Sequence, residues 1–192
     1  MIDDGEGVPK HLQRTVFEPR VTSKLDSMHM DKWGVHGRGM ALYSIAVNAE
    51  SATISASDSG LGSAFVIQTD LNKLPEKTDQ SSFPTFELNE AGTVAVRGPK
   101  NILRTACEFA IESRAAVNVF IGSSTDIAAT LYAFGLGKLS AEDRLSGEND
   151  SRLPICKRLS ACSSLSAFHQ TAESFGLLMS ERSARRILDG QI

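Results

Sequence analysis

Ala52-Thr53-Ile54-Ser55-Ala56-Ser57-Asp58-Ser59-Gly60-Leu61-Gly62-Ser63-Ala64-Phe65-Val66-Ile67-Gln68-Thr69 is the stretch from which the architecture is read. Residues 52–57 alternate small and β-branched side chains, the period-two pattern of a strand. Asp58-Ser59-Gly60 supplies a turn, and Ser63 to Thr69 reads as the returning strand of a hairpin. Just upstream, Leu42, Ile45, Ala46 and Ala49 recur at i, i+3, i+4 and i+7, so 41–49 is predicted as an amphipathic helix. Downstream, strands are predicted at 93–96 and 116–121 and helices at 99–113 and 124–134. Pro99 lies near the first turn of its helix. Two further helical segments fall around 159–175 and 180–188. The fold class is mixed α/β.

Charge divides the chain unevenly. Residues 1–92 carry 8 Lys/Arg against 13 Asp/Glu, and residues 93–192 carry 12 against 10. Between them, Leu74-Pro75-Glu76-Lys77-Thr78-Asp79-Gln80-Ser81-Ser82-Phe83-Pro84 is polar, proline-bounded and without period, which marks a connector. Ser146-Gly147-Glu148-Asn149-Asp150-Ser151 marks a second break. The expected organisation is a first domain at 1–74, a connector at 75–92, a small α/β region at 93–137, a loop at 138–154 and a helical tail at 155–192. The 41% apolar and 22% charged composition excludes wholesale disorder. No window approaches ~18 uninterrupted apolar residues, so no membrane partner is expected. Met1-Ile2-Asp3-Asp4-Gly5-Glu6 has no apolar core of a signal peptide. Cys107, Cys156 and Cys162 are odd in number and lack zinc spacing, as suits reduced thiols. A cytoplasmic location is expected.

The candidate chemistry lies in the first 65 residues. Asp3-Asp4-Gly5-Glu6-Gly7 is a D-x-G-x-G sequence. Its carboxylate can accept from an exocyclic amine, and its glycines let backbone approach a flat ring; alone, it also reads as an ordinary turn. Gly34-Val35-His36-Gly37-Arg38-Gly39-Met40 precedes the predicted helix at 41–49. Glycines there leave backbone N–H groups pointing at an anion, with the helix dipole adding roughly half a positive charge. Arg38 and His36 can add side-chain donors to phosphate.

In order, D-x-G-x-G, then Val16-Phe17-Glu18-Pro19, the second glycine cluster, helix, strand and S-x-x-G-x-G-S-x-F resemble the ATP-binding fold of gyrase, large heat-shock chaperones, histidine kinases and MutL, the GHKL superfamily. Val16-Phe17-Glu18-Pro19 resembles the F box of histidine kinases, Gly37-Arg38-Gly39-Met40-Ala41-Leu42 their second glycine box, and Gly62-Ser63-Ala64-Phe65 their closing G-T-x-F strand. The resemblance covers residues 2 to about 71. It implies a partial Bergerat-type α/β sandwich binding ATP as the adenine-nucleotide partner. Asp3 would accept from the adenine amino group, with Gly5 and Gly7 shaping the floor beneath the ring. Residues 18–36 would form a lid in which Lys24 contacts phosphate. His36, Gly37, Arg38, Gly39 and Met40 would meet the phosphates at the helix start. Ser63, where the family usually has Thr, would join the hydrogen-bond network near adenine.

A second resemblance sets an alternative beside this one. Val21-Thr22-Ser23-Lys24-Leu25 with Gly34-Val35-His36-Gly37-Arg38 is similar to the lid of MutL-type mismatch-repair ATPases, and Gly37-Arg38-Gly39-Met40 with Leu42-Tyr43 to the topoisomerase VI B subunit. That implies a DNA-associated ATPase. The F box and hairpin favour the kinase-like side. A third reading is a non-catalytic regulatory or interaction module.

The family's magnesium-binding Asn lies on a helix upstream of D-x-G-x-G, and only Met1 and Ile2 precede Asp3. Mg²⁺ is expected for the family, yet its usual ligand is absent from this sequence. The expectation is therefore weak nucleotide binding without hydrolysis, an apolar sheet face left open, and an upstream half that is missing or supplied by a second chain. No catalytic residue and no resident metal site are assigned. In the helical tail, Phe168 to Leu177 and then Ser180 to Leu188 partly resemble a helix-turn-helix. Arg182, Arg185 and Arg186 would touch DNA phosphates, although the turn is about two residues longer than the usual three or four. Packing or dimerisation is the competing use of this tail.

Overall fold

The 52–69 hairpin organises the larger part of the molecule. The structure, a computed structural model, describes residues 1–21, 30–31, 34–35, 39–73, 79, 81–145 and 151–192. Strands β4 (Ser51–Ser57) and β5 (Ser63–Gln68) pair antiparallel, and β1 (Ile2–Asp3) adds to the far side of β5. The sheet order is β1-β5-β4. A bulge falls between Ile54 and Ala56, and the Ser55 hydroxyl there donates to the Ala64 carbonyl at 3.1 Å. Helix α1 (Ala41–Asn48) runs into β4, as its 3.6-residue period predicts. Two short strands, β2 (Met30–Asp31) and β3 (Gly34–Val35), pair separately.

Register gives the sheet two unlike faces. Ile2, Ala64 and Ala56 lie opposite one another on one face, and Asp3, Ser63 and Ser57 on the other. The first face is the apolar one, and it is not left open. Helices α3 (Ser124–Leu136), α5 (Ile155–Arg158), α6 (Leu165–Ser174) and α7 (Glu181–Leu188) build a core around Phe168, Ile155, Leu159 and Ile187, to which Ala64, Ile2 and Ala56 belong. The sequence-based expectation of a bare sheet face is therefore corrected: the C-terminal helices cover it. Gly135 lets α3 approach the following segment, because a Cβ there would lie 2.0 Å from the Ser160 hydroxyl. That hydroxyl donates to the Tyr132 carbonyl at 2.8 Å. Ile155 N–H donates to Leu61 O at 2.9 Å, tying α5 to the hairpin turn.

The chain divides into one unit of residues 1–69 and 124–192 and another of 70–123. Helix α3 thus belongs with the first sheet, not with a region 93–137. The second unit pairs β6 (Thr85–Leu88) with β7 (Val94–Arg97), and α2 (Ile102–Glu112) packs on β7. Three local expectations change. The strand β6 lies inside the expected connector, α4 (Ala141–Leu145) lies inside the expected loop, and residues 116–121 form no strand. No helix among the described residues is long and apolar enough to cross a membrane.

Candidate functional site

The face of the sheet turned away from the helices carries the polar residues. Asp3 stands directly opposite Ser63, and Ser63 directly opposite Ser57. Asp3 is half-buried, and its Oδ1 accepts from the Gly5 N–H at 3.0 Å. That local turn leaves the other carboxylate oxygen without a hydrogen-bond partner among the described residues, while the Met1 ammonium acts on the carboxylate by charge. Ser63 is 3% exposed, and its hydroxyl lies 3.2 Å from that of Ser57. Ser57 Oγ accepts from Val8 N–H at 2.6 Å and has one proton to share between Ser63 Oγ and Gly62 O. The Gln13 amide donates to both Val8 O and Ser57 O at 2.9 Å, binding the D-x-G-x-G segment to the hairpin. Beside this network Phe17 meets Phe65 edge to face, with centroids 6.3 Å apart.

The glycines play a different part from the one expected. Gly7 has φ of 70°, and a Cβ there would lie 1.9 Å from Asp58 O. Gly62 has φ of 81°, and a Cβ would lie 2.2 Å from Asp3 O. Both serve the close approach of two backbone segments, so the space beside Gly7 is filled by protein rather than open to a ring. A Cβ at Gly5 would meet only the Asp3 carboxylate, at 3.1 Å.

Gly39 also has positive φ, and its carbonyl accepts from Arg20 N–H at 3.0 Å. Met40 is the N-cap of α1 and contributes no side-chain bond there. Lys24, His36, Gly37 and Arg38 lie outside the described residues. Asp3, Gly5, Gly7 and Ser63 are thus brought together, with Gly39 and Met40 at the entrance to α1. Sequence reasoning missed Ser57 and Gln13 as members of the network. The Ser57–Ser63 pairing could have been read by folding the hairpin about Asp58-Ser59-Gly60.

At the hairpin turn, Asp58 is held below the usual carboxylate range, first by the Ser59 N–H and then by Lys10 at 3.2 Å. Among the described residues no group of three or more His, Cys, Asp or Glu is placed to hold a metal ion. No protein-family model matches the chain, and no curated protein and no solved structure matches it.

Proposed function

We propose that residues 1–69 bind an adenine nucleotide, with ATP the ligand that the GHKL resemblance implies. The observation that carries this reading is the register placing Asp3 opposite Ser63, on the sheet face opposite the one that packs against the C-terminal helices. An ionised carboxylate only accepts hydrogen bonds, so an unpaired Asp3 oxygen suits the adenine 6-amino donor and opposes the guanine 6-oxo acceptor. The part-buried Ser57–Ser63–Gln13 network fixes the backbone that presents Asp3. The positive end of α1, with no side chain of Met40 capping it, suits phosphate. The reading concerns recognition alone, and no step through a metal is part of it.

Titration calorimetry with ATP, AMP and GTP tests it. ATP binds and GTP does not, and Asp3→Asn weakens ATP at least tenfold by turning one acceptor into a donor. Equal affinity for ATP and GTP, or an Asp3→Asn protein that binds ATP as before, overturns it.

A further inference from the structure

Helix α7 faces the core with Ala184 and Ile187, both buried, and faces solvent with Arg182, Arg185 and Arg186. At about 100° of rotation per residue, the three arginines span an arc of roughly 100° centred opposite the buried pair. Among the described residues none of the three pairs with a carboxylate. Glu181 and Asp189 stand at the two ends of the helix and also form no ion pair with them. The surrounding sequence supports the same sign: residues 151–192 carry six Lys/Arg against three Asp/Glu in a chain of net charge −3.

The segment that presents this helix is fixed. Residues 175–180 join α6 to α7, longer than the turn of a standard helix-turn-helix, but the link is tied down on both sides of the exposed Leu178. Gly176 N–H and Leu177 N–H bond back to Glu173 O and Ala172 O at 2.9 Å. Gly176 has φ of 77° and abuts Val66 of β5, where a Cβ would lie 2.4 Å from a valine methyl. Leu177 is buried, the His169 ring nitrogen Nε2 lies 2.8 Å from Met179 O, and Ser180 Oγ accepts from Ser183 N–H at 3.1 Å. Unpaired arginines on a helix held this firmly form a pre-set cationic ridge.

We propose that α6 and α7 form a duplex-DNA-binding module, with α7 entering the major groove. An eight-residue helix is about 12 Å long, and the major groove is about 12 Å wide and admits a helix. Arg182, in the first turn, is nearest the base edges, and Arg185 and Arg186 meet phosphates. Three observations separate duplex DNA from other polyanions. The aromatic residues of the pair, Phe168 and Phe175, are buried, so no ring is offered for stacking single-stranded bases. The exposed arc of α7 bears no apolar side chain to enter a lipid surface. The deep, narrow major groove of duplex RNA does not admit side chains. This inference stands apart from nucleotide binding, and its test needs no nucleotide.

The test is fluorescence anisotropy of the full chain with a labelled 24-base-pair duplex of mixed sequence, from 50 to 200 mM NaCl. The two phosphate contacts, of Arg185 and Arg186, give a slope of about −1.8 in log K against log salt. Arg182→Ala/Arg185→Ala/Arg186→Ala weakens binding at least tenfold at 50 mM, and each of Arg185→Ala and Arg186→Ala lowers the slope by about 1. All three positions are exposed, so far-UV circular dichroism and thermal melting stay as in the parent. The control Lys100→Ala/Arg114→Ala leaves affinity unchanged. Absence of duplex binding at 50 mM NaCl overturns the proposal, as does binding indifferent to the three arginines. Tighter arginine-dependent binding to single-stranded RNA or to phosphatidylserine vesicles overturns it as well.

Discussion

Gly7 and Gly60 share a left-handed backbone, with φ of 70° and 74°, but differ in surroundings. Asp58 O fills the space beside Gly7, while nothing lies within 4 Å of the Cβ position at Gly60. An L-residue in this conformation costs about 1–2 kcal/mol, so Gly60→Ala loses that and no more. Gly7→Ala adds a clash between backbone segments and loses more than about 3 kcal/mol. Urea unfolding of the two variants side by side measures the difference, and equal losses refute the close approach. The same contrast shows where residue-level reading ended. D-x-G-x-G was legible as a sequence of special backbone demands. What meets those demands depends on which strand arrives alongside, and that is set by pairing some 55 residues away. Asp3 and Ser63 were legible as site candidates by type, and Ser57 could have been placed opposite Ser63 by folding the hairpin; Gln13 could not, because nothing in its own neighbours marks it.

Periodicity served best where an element carries its own signal. The hairpin, α1, α2, α3 and α7 all lie where the apolar spacing put them. It failed at residues 116–121, Ala-Val-Asn-Val-Phe-Ile, where the composition suits a strand but no partner strand pairs with it; strand preference is realised only by pairing. It also missed β6, whose four residues are all exposed and which follows Pro84 in a polar stretch. Asn101 illustrates an element boundary that chemistry fixes. Its Oδ1 accepts from Arg104 N–H at 2.8 Å, capping α2, while its amide donates to Ser82 O at 2.9 Å and Asp79 O at 3.2 Å. It is 3% exposed, so Asn101→Ala removes a cap and the bridge to the carbonyls of the exposed residues Asp79 and Ser82, a loss of about 1–2 kcal/mol. Asn101→Ser restores the cap but not the bridge and recovers about 1 kcal/mol. Amide hydrogen exchange over 102–112 reads this unit by itself, and full recovery with serine would show that the bridge contributes nothing.

At the scale of the first unit, stability rests on a helical layer closed over a small sheet. Phe168 is fully buried and meets Tyr132 edge to face at 5.7 Å, so Phe168→Ala costs about 3–5 kcal/mol in a chemical-denaturation midpoint. Carboxylates fasten the edges of this unit. Asp143 accepts from Ser140 N–H and from Lys157 at 3.0 Å, joining α4 to α5, and Asp58 holds Lys10 against the hairpin turn. For Asp143 the Ser140 N–H is the larger cause and Lys157 the next, and together they hold its carboxyl below the ordinary value of 3.8, as Ser59 and Lys10 do for Asp58. A carboxyl with a depressed folded pKa binds fewer protons in the native state than in the unfolded chain. Its contribution is therefore fully present above about pH 4 and is lost as pH falls through the depressed values. The Asp58→Asn/Asp143→Asn protein is less stable than the parent at neutral pH, and its stability declines less steeply from about pH 4 to pH 2. Thermal melts at closely spaced pH values test this. Parallel acid limbs for the two proteins would show that these bonds persist in the unfolded chain or contribute nothing to the native one.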